Sequence, residues 1–186
     1  SVMRLGASFV RLGDIDTDGL DDILVGASHL SSTGTNKGGV FLLRGSDVGN
    51  ISDVTANVRL IGESNNDQLG VMTSRAGDID GDGNLEVLVG APNADEGTSN
   101  TGTIFLFSTT DLLMEGFGIE NTIQFHGESS GDKAGSQLTE IGDFNGDGYD
   151  DLLIGANDHD ENLDQDGAVY LIYGKPLDSF ETSNVL

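Results

Sequence analysis

The sequence predicts an all-β protein made of β-propeller blades, and three observations support this fold class. The chain repeats itself, with Gly6, Gly70 and Gly135 spaced by 64 and 65 residues and many other positions keeping the same two offsets. Each repeat holds short apolar segments separated by clusters of Gly, Asn, Asp and Ser, which is typical of strands and turns. No segment shows a convincing helical periodicity. Four short strands in a unit that recurs along the chain are the pattern of a propeller blade.

The four strands can be placed within the first repeat. Residues 22–27 form an apolar run that is too short for a helix and typical of a buried strand. Residues 39–44 are rich in β-branched and aromatic side chains, which favour strands. With segments at about 7–13 and near 58–61 they make four antiparallel strands, and we expect the same order in every repeat.

We predict a single propeller segment over residues 1–186. Its repeats lie at approximately 5–64, 69–129 and 134–186. The third blade should lack its outer strand in this chain, because the equivalent of Leu60–Ser64 would begin near Val185. Aromatic side chains on strands bury a large apolar area between sheets. We therefore place six of them in the blade cores: Phe9, Phe41, Phe105, Phe125, Tyr170 and Tyr173.

The charge balance excludes several classes of partner. The chain has 8 Lys and Arg against 32 Asp and Glu, which gives a formal net charge of -24. Nucleic-acid affinity comes from cationic side chains that neutralise phosphates, so we predict no nucleic-acid partner. Anionic membrane surfaces repel the chain for the same reason, and no apolar run is long enough for membrane insertion. The absence of cysteine excludes disulfides, cysteine zinc sites and thiol catalysis.

Each repeat carries a nine-residue acidic loop between its first and second strands. The loops are residues 14–22, 78–86 and 143–151, with oxygen-bearing side chains at loop positions 1, 3, 5 and 9 and Gly at position 6. Ca²⁺ takes about six to eight oxygen ligands, and the EF-hand loop has the same 1-3-5 start with Gly at position 6. These loops are shorter than an EF-hand loop and join strands. A metal-free turn is the alternative, since Asp and Gly favour turns.

Identical spacing in three loops favours calcium, because so many carboxylates in one hairpin repel one another unless a cation neutralises them. Mg²⁺ is less suited, since it prefers tight octahedra that retain water. We predict about three Ca²⁺ ions, one per repeat, with the position 7 carbonyl as a further ligand. The expected ligands are Asp14, Asp16, Asp18, Leu20 and Asp22, then Asp78, Asp80, Asp82, Asn84 and Glu86, then Asp143, Asn145, Asp147, Tyr149 and Asp151. At position 8, Asp21 and Asp150 are expected to point away from the ion.

These features resemble the FG-GAP repeats of the integrin α-subunit N-terminal β-propeller. The loops match that family's calcium-binding hairpin, with Glu86 in place of the usual Asp. The resemblance covers about residues 5–173, and the strong acidity is similar to that of FG-GAP proteins secreted by bacteria. The motif halves read Leu5-Gly6, Leu69-Gly70 and Ala134-Gly135, and then Gly26-Ala-Ser28, Gly90-Ala-Pro92 and Gly155-Ala-Asn157.

The resemblance implies a closed propeller, commonly of seven blades, that mediates adhesion through loops on the face opposite the calcium hairpins. Propellers have about four to eight blades, whereas this chain has three repeats. We expect either the remainder of a longer propeller or several chains to complete the ring. An open end would expose an unpaired edge, which favours pairing. We therefore predict a homo-oligomer, for example two chains giving six blades.

The predicted function is a calcium-binding adhesion or ligand-binding module, extracellular or at the cell surface. Variable polar loops on a fixed scaffold are where recognition usually occurs, and here they are residues 28–37, 92–101 and 157–166. The ligand is a protein or a glycan, so a lectin-like propeller and a non-catalytic scaffold of a larger secreted protein stay open as alternatives. No catalysis is predicted, because His29, His126 and His159 have no nucleophile or zinc-ligand spacing beside them.

Overall fold

Three sheets make up the part of the chain that the computed structural model describes, which is residues 3–31, 35–47, 58–95, 99–160 and 166–186. This confirms the all-β class, and the helical elements among the described residues are 3₁₀ turns of three to five residues. The strands are β1 (Leu5–Gly13), β2 (Asp22–Ala27), β3 (Gly39–Leu43), β4 (Val58–Ile61), β5 (Met72–Gly77), β6 (Glu86–Ala91), β7 (Thr103–Ser108), β8 (Ile123–His126), β9 (Ala134–Gly142), β10 (Asp151–Ala156), β11 (Ala168–Ile172) and β12 (Ser183–Val185).

The sheets follow the repeats. The first blade has the strand order β1-β2-β3-β4, and the second has β5-β6-β7-β8 with β12 added at its edge. The third blade has only β9-β10-β11 among the described residues, which confirms that its outer strand is missing. Every pairing within a repeat is antiparallel.

Strand β12 is an addition that the sequence pattern did not predict. It pairs in parallel with β8, with Ser183 opposite Gln124 and Val185 opposite His126. Just before it, the Phe180 ring packs edge-to-face on Phe125 at a centroid distance of 5.8 Å. This contact holds the C-terminal segment against blade two, where β12 satisfies backbone groups that an edge strand would otherwise expose.

The blades stack face to face, and the middle blade is buried on both sides. All residues of β6 and β7 are buried. Because successive side chains of a strand point to opposite faces, alternate residues serve different interfaces. Val87 and Phe105 join Leu24 in a cluster shared with blade one, whereas Leu88 joins Leu152 in a cluster shared with blade three.

Glycines set the closest approach of neighbouring blades. A Cβ atom on Gly26 would lie 1.9 Å from the carbonyl oxygen of Gly70, and one on Gly90 would lie 2.5 Å from that of Gly135. Gly70 itself has φ of +80°, a left-handed conformation that favours glycine. The same carbonyl accepts a hydrogen bond from Ser8 Oγ at 2.9 Å. The two halves of the repeated motif therefore meet across the blade interface.

The predicted aromatic core is confirmed at three positions and wrong at two. Phe41, Phe105 and Phe125 are buried, while Tyr170 is half-buried. Phe9 is 75% exposed and Tyr173 is 50% exposed. Both exposed residues belong to the first or last blade, where no further blade covers the sheet face.

The glycine contact between blades predicts the effect of adding one methyl group. Gly26→Ala places a Cβ against a backbone carbonyl. We therefore expect it to lower the free energy of unfolding by ~1–3 kcal/mol, the typical cost of overpacking. The matched control is Gly155→Ala at the equivalent position of blade three, where the nearest atom is Gln137 Cβ at 3.1 Å. Urea unfolding in dilute solution measures both, and equal losses would contradict the interpretation.

Candidate metal centres

The three acidic hairpins lie at one end of the blades. Each hairpin joins the first strand of its blade to the second, as residues 14–22 join β1 to β2. Because the second strand runs back, the loop that follows it, such as residues 28–37, leaves from the opposite end. The fold thus separates the hairpins from the variable loops.

The carboxylate at position 9 closes each hairpin. These side chains belong to Asp22, Glu86 and Asp151, and all three residues are fully buried. Each accepts the backbone N–H of position 2, at 3.0, 3.1 and 2.9 Å respectively. Asp22 and Asp151 use their second oxygen to accept the N–H of Gly45 and Gly174, at 2.9 and 2.8 Å. Position 9 is therefore a structural anchor as well as a predicted ligand.

The first hairpin brings three carboxylates together at its rim. One oxygen from each of Asp14, Asp16 and Asp18 lies within 4.8 Å of the others. Backbone N–H groups of Asp18 and Gly19 donate to Asp14 at 3.0 and 2.9 Å. Arg44 Nε lies 3.4 Å from Asp16 and neutralises part of this charge.

The second hairpin holds the most buried cluster. One oxygen from each of Asp78, Asp80 and Glu86 lies within 4.8 Å of the others. The backbone amide equivalent to those of Gly45 and Gly174 is that of Thr109, which donates to the Leu85 carbonyl instead, at 2.9 Å. Glu86 Oε1 is consequently left without a hydrogen bond of standard geometry, and so is the buried Asp78 Oδ1.

The electrostatics of this cluster favour a positive charge. Burial first, and then the Asp80 carboxylate, raise the pKa of Glu86 to about 8, and the Ser108 side chain offsets this only in part. Burial and the neighbouring carboxylates of Asp82 and Asp78 also raise the pKa of Asp80. A buried carboxylate has its pKa raised when no charge partner compensates its desolvation. A cation among these oxygens would reverse that shift.

The donor set fits Ca²⁺ in the second hairpin. Oxygens that each lie 2.3–2.6 Å from one ion can be at most about 5 Å apart, and the three carboxylates meet that limit. Two buried oxygens that make no hydrogen bond of standard geometry are available to a cation there. Hard carboxylate oxygen is also the ligand type that Ca²⁺ prefers.

In the third hairpin, the predicted ligand side chains form hydrogen bonds within the loop. Asp143 accepts N–H groups from Gly146, Asp147 and Gly148, at 2.6, 3.0 and 2.9 Å. Asn145 Nδ2 donates to Asp147 at 2.8 Å. No cluster of three carboxylates within 4.8 Å occurs in this loop, which is wholly described.

The structure thus brings together only part of the predicted ligand set. Asp82 shares the second loop but is not part of its cluster, and Asp22 turns both oxygens to amides of its own blade. The position 7 carbonyls of Leu20, Asn84 and Tyr149 stay a prediction. Their N–H groups donate to the position 5 side chains, at 2.8, 2.7 and 3.0 Å.

Asp150, which is predicted to point away from the ion, contacts the neighbouring hairpin. Its Oδ2 accepts the Asp78 N–H at 2.8 Å, and its own N–H donates to the Asp78 carbonyl at 3.1 Å. Asp150 thereby ties the third hairpin to the second. Among the described residues Asp21 makes no equivalent contact, and it instead accepts a hydrogen bond from Arg11 Nε at 2.8 Å. The sequence signal was the Asp at position 8 in loops one and three, with Leu85 in loop two.

Sequence reasoning also missed the anchoring of the third variable loop. Asp132, which is 1% exposed, accepts the Ser129 N–H at 2.7 Å and lies 3.2 Å from His159 Nδ1. Lys133 Nζ binds Asp158 at 2.6 Å. These contacts fix the start of the loop to the turn between blades two and three. Residues 32–34, 96–98 and 161–165 of the variable loops lie outside the described residues.

Stacked blades of antiparallel strands with acidic hairpins at one end define a repeat protein of the β-propeller type. The FG-GAP repeat family matches residues 72–107 and 140–172, within the second and third repeats. The chain thus carries FG-GAP repeats at these residues, and it is similar to integrin α-subunits.

Three relatives illustrate the similarity. Integrin alpha-PS5 of Drosophila melanogaster is 38% identical over 100 residues, covering 53% of this chain and 9% of that protein. Human integrin alpha-7 is 30% identical over 160 residues, covering 82% of this chain and 12% of that protein. Integrin alpha-5 of Xenopus laevis is 28% identical over 171 residues, covering 83% of this chain and 15% of that protein. The chain therefore spans about a tenth of the length of these curated relatives. Among its described residues, no helix has the length and apolar character needed to cross a membrane.

The raised pKa of Glu86 predicts a pH dependence in the absence of metal. Its pKa of about 8 exceeds the ordinary value of 4.5, so between these values the folded protein holds a proton that the unfolded chain has released. Stability should therefore fall as pH rises from about 5 to about 8 in EGTA. Thermal melts should show a weaker fall for Glu86→Gln than for the wild type.

The matched control for this pH effect is Glu120→Gln. Glu120 is exposed and lies outside the hairpins, so its variant should keep the wild-type dependence. The same dependence in Glu86→Gln and the wild type would show that the Glu86 carboxyl does not carry the effect.

Proposed function

We propose that the chain is a calcium-stabilised, integrin-like ligand-binding module in which calcium is structural. The observation that carries this proposal is the second hairpin, where three carboxylates converge and two buried oxygens make no hydrogen bond of standard geometry. Such oxygens are costly to bury unless a partner compensates them. A bound cation supplies that compensation and converts a repulsive cluster into a cross-link between the first two strands of the blade.

We propose one ion in each hairpin, about three in all. The first hairpin supports this with its own carboxylate cluster. In the third hairpin the predicted ligands bind loop amides, and a carboxylate oxygen that accepts an amide N–H keeps a lone pair for a metal. A site of this kind binds the folded chain only, so its binding free energy adds to the free energy of unfolding.

The ligand is proposed to bind at the end opposite the hairpins. The strands fix the starting points of the variable loops. The Lys133–Asp158 ion pair and the contact between Asp132 and His159 hold the third loop in place. A rigid scaffold that presents anchored loops binds with a smaller loss of conformational entropy. The similarity to integrin α-subunits supports an adhesive role outside the cell or at its surface.

Calcium removal should destabilise the protein strongly. An ion at 100 times its Kd stabilises by ~2.7 kcal/mol per site, so thermal melts in EGTA should show a large drop in Tm. Isothermal titration calorimetry should give about three ions for the wild type, and two for Asp18→Ala or Asp147→Ala. Asp178→Ala, an exposed acid outside the hairpins, should keep all three. An unchanged Tm in EGTA would refute structural calcium.

Ligand binding should depend on the loops and tolerate changes in the hairpins. The probes are a glycan array and an array of extracellular-matrix proteins, both in millimolar Ca²⁺. Replacing residues 157–166 by a Gly-Ser segment of equal length should weaken any hit at least ~10-fold, as for loss of a binding hot spot. Asp18→Ala should retain the hit. A saccharide hit would favour the lectin-like alternative, and silence on both arrays would contradict a ligand-binding role.

A further inference from the structure

The second and third hairpins are joined by a direct contact. Asp150 Oδ2 accepts the Asp78 N–H at 2.8 Å, and the Asp150 N–H donates to the Asp78 carbonyl at 3.1 Å. Glycine makes room for this contact, because a Cβ atom on Gly77 would collide with the Asp150 side chain. Both partners lie in hairpins that are wholly described, at the interface between blades two and three.

The residues in contact carry or flank predicted calcium ligands. Asp78 is position 1 of the second hairpin, and its Oδ1 is one of the buried oxygens that make no hydrogen bond of standard geometry. Asp150 is position 8 of the third hairpin, between the predicted ligands Tyr149 and Asp151. The contact thus connects the backbone that carries a ligand of the second site with the backbone that carries two ligands of the third.

Two further contacts hold the same pair of hairpins together. The Tyr149 ring lies against Gly81, which is position 4 of the second hairpin, at 3.0 Å from the place of a Cβ atom there. Gly174, which donates its N–H to Asp151 at 2.8 Å, also packs on the second hairpin. A Cβ atom on Gly174 would lie 2.8 Å from the carbonyl oxygen of Ile79. Positions 1, 2 and 4 of the second hairpin therefore all contact blade three.

The first hairpin has no equivalent link to the second. Position 8 of the second hairpin is Leu85, whose side chain has no oxygen to accept an amide. Within the described part of the chain, which includes both loops in full, no hydrogen bond joins residues 14–22 to residues 78–86. Blades one and two are instead linked by Arg75 Nε, which donates to the Arg11 carbonyl at 2.8 Å, outside both hairpins.

We propose that the second and third calcium sites are positively coupled through Asp150, and that the first site binds independently of both. The inference rests on the proposed function, since it requires calcium in the hairpins. When the Asp78 carboxylate holds an ion, the backbone N–H and carbonyl that bind Asp150 are fixed. Asp150 then orders the flanking ligands of the third hairpin before that site is filled.

Coupling of this kind comes from shared ordering. Binding that orders a segment costs conformational entropy, and a second ligand that meets the segment already ordered loses less. A coupling free energy is reciprocal, so an occupied third site must strengthen binding at the second by the same factor, typically about 5- to 150-fold. Direct repulsion between the two ions acts in the opposite direction, but salt at ~0.15 M largely screens exposed charges more than ~8 Å apart.

The test is a calcium titration of the whole chain in salt at that concentration, followed by NMR at one amide in each hairpin. The position 6 amides of Gly19, Gly83 and Gly148 donate to the position 1 carboxylates of their own loops, at 2.9, 3.1 and 2.9 Å. Each amide therefore reports binding at its own site. Asp147→Ala, which removes a ligand of the third site, should raise the Kd reported by Gly83 at least ~5-fold. Asp82→Ala should raise the Kd reported by Gly148 by the same factor.

Matched variants identify the residue that carries the coupling. In an Asp150→Ala background, Asp147→Ala should no longer change the Kd of the second site. Asp150→Asn should keep the coupling, because its amide oxygen can accept the same N–H. Asp21→Ala, at position 8 of the first hairpin and exposed, should keep it as well. Asp18→Ala, which removes a ligand of the first site, should leave both other Kd values unchanged.

The outcomes separate this inference from the proposal on which it rests. If the three glycine amides do not respond to calcium, structural calcium and the coupling both fail. If they respond, but Asp147→Ala leaves the second site unchanged or Asp18→Ala weakens it equally, the coupling alone is overturned. Loss of coupling in Asp150→Asn would assign it to the negative charge and overturn the ordering path. Circular dichroism confirms that each variant is folded.

Discussion

The close approach of a glycine carbonyl to a glycine in the preceding blade is the constraint on which the rest of the structure depends. With Gly70 against Gly26, and Gly135 against Gly90, the inner strands come together without a side chain between them. The larger residues of β6 and β7 are then free to pack outward of this contact, on both faces of the middle sheet. At the opposite end of the blades, Asp150 of the third hairpin contacts Asp78 of the second.

The hairpins lie together at one end of the blades, so their negative charges are concentrated there. The backbone N–H groups of these loops already donate hydrogen bonds to the carboxylates. Position 9 must be a carboxylate that reaches the N–H of position 2, because this bond closes the hairpin. In the second blade Glu86 reaches further than Asp would, and its second oxygen finds no amide. The fold therefore leaves an excess of negative charge in the second hairpin, which a bound cation can neutralise.

Local patterns predicted most of the fold because each blade repeats the same short-range chemistry. The second strand was predicted at residues 22–27, where it is observed, and the three loops follow from their Asp and Gly spacing. Contacts between repeats could not be predicted from the sequence. The pairing of β12 with β8 depends on Phe180 meeting Phe125, and the role of Asp150 depends on the position of Asp78 in the preceding blade. Neither contact has a signature within one repeat.

The two interfaces within the chain differ in their polar contacts. An arginine side chain reaches a carbonyl between blades one and two, whereas an aspartate reaches an amide between blades two and three. A polar contact that is left unsatisfied in the wrong pairing costs free energy. Specific polar pairs on a shared apolar background therefore give each blade a preferred neighbour.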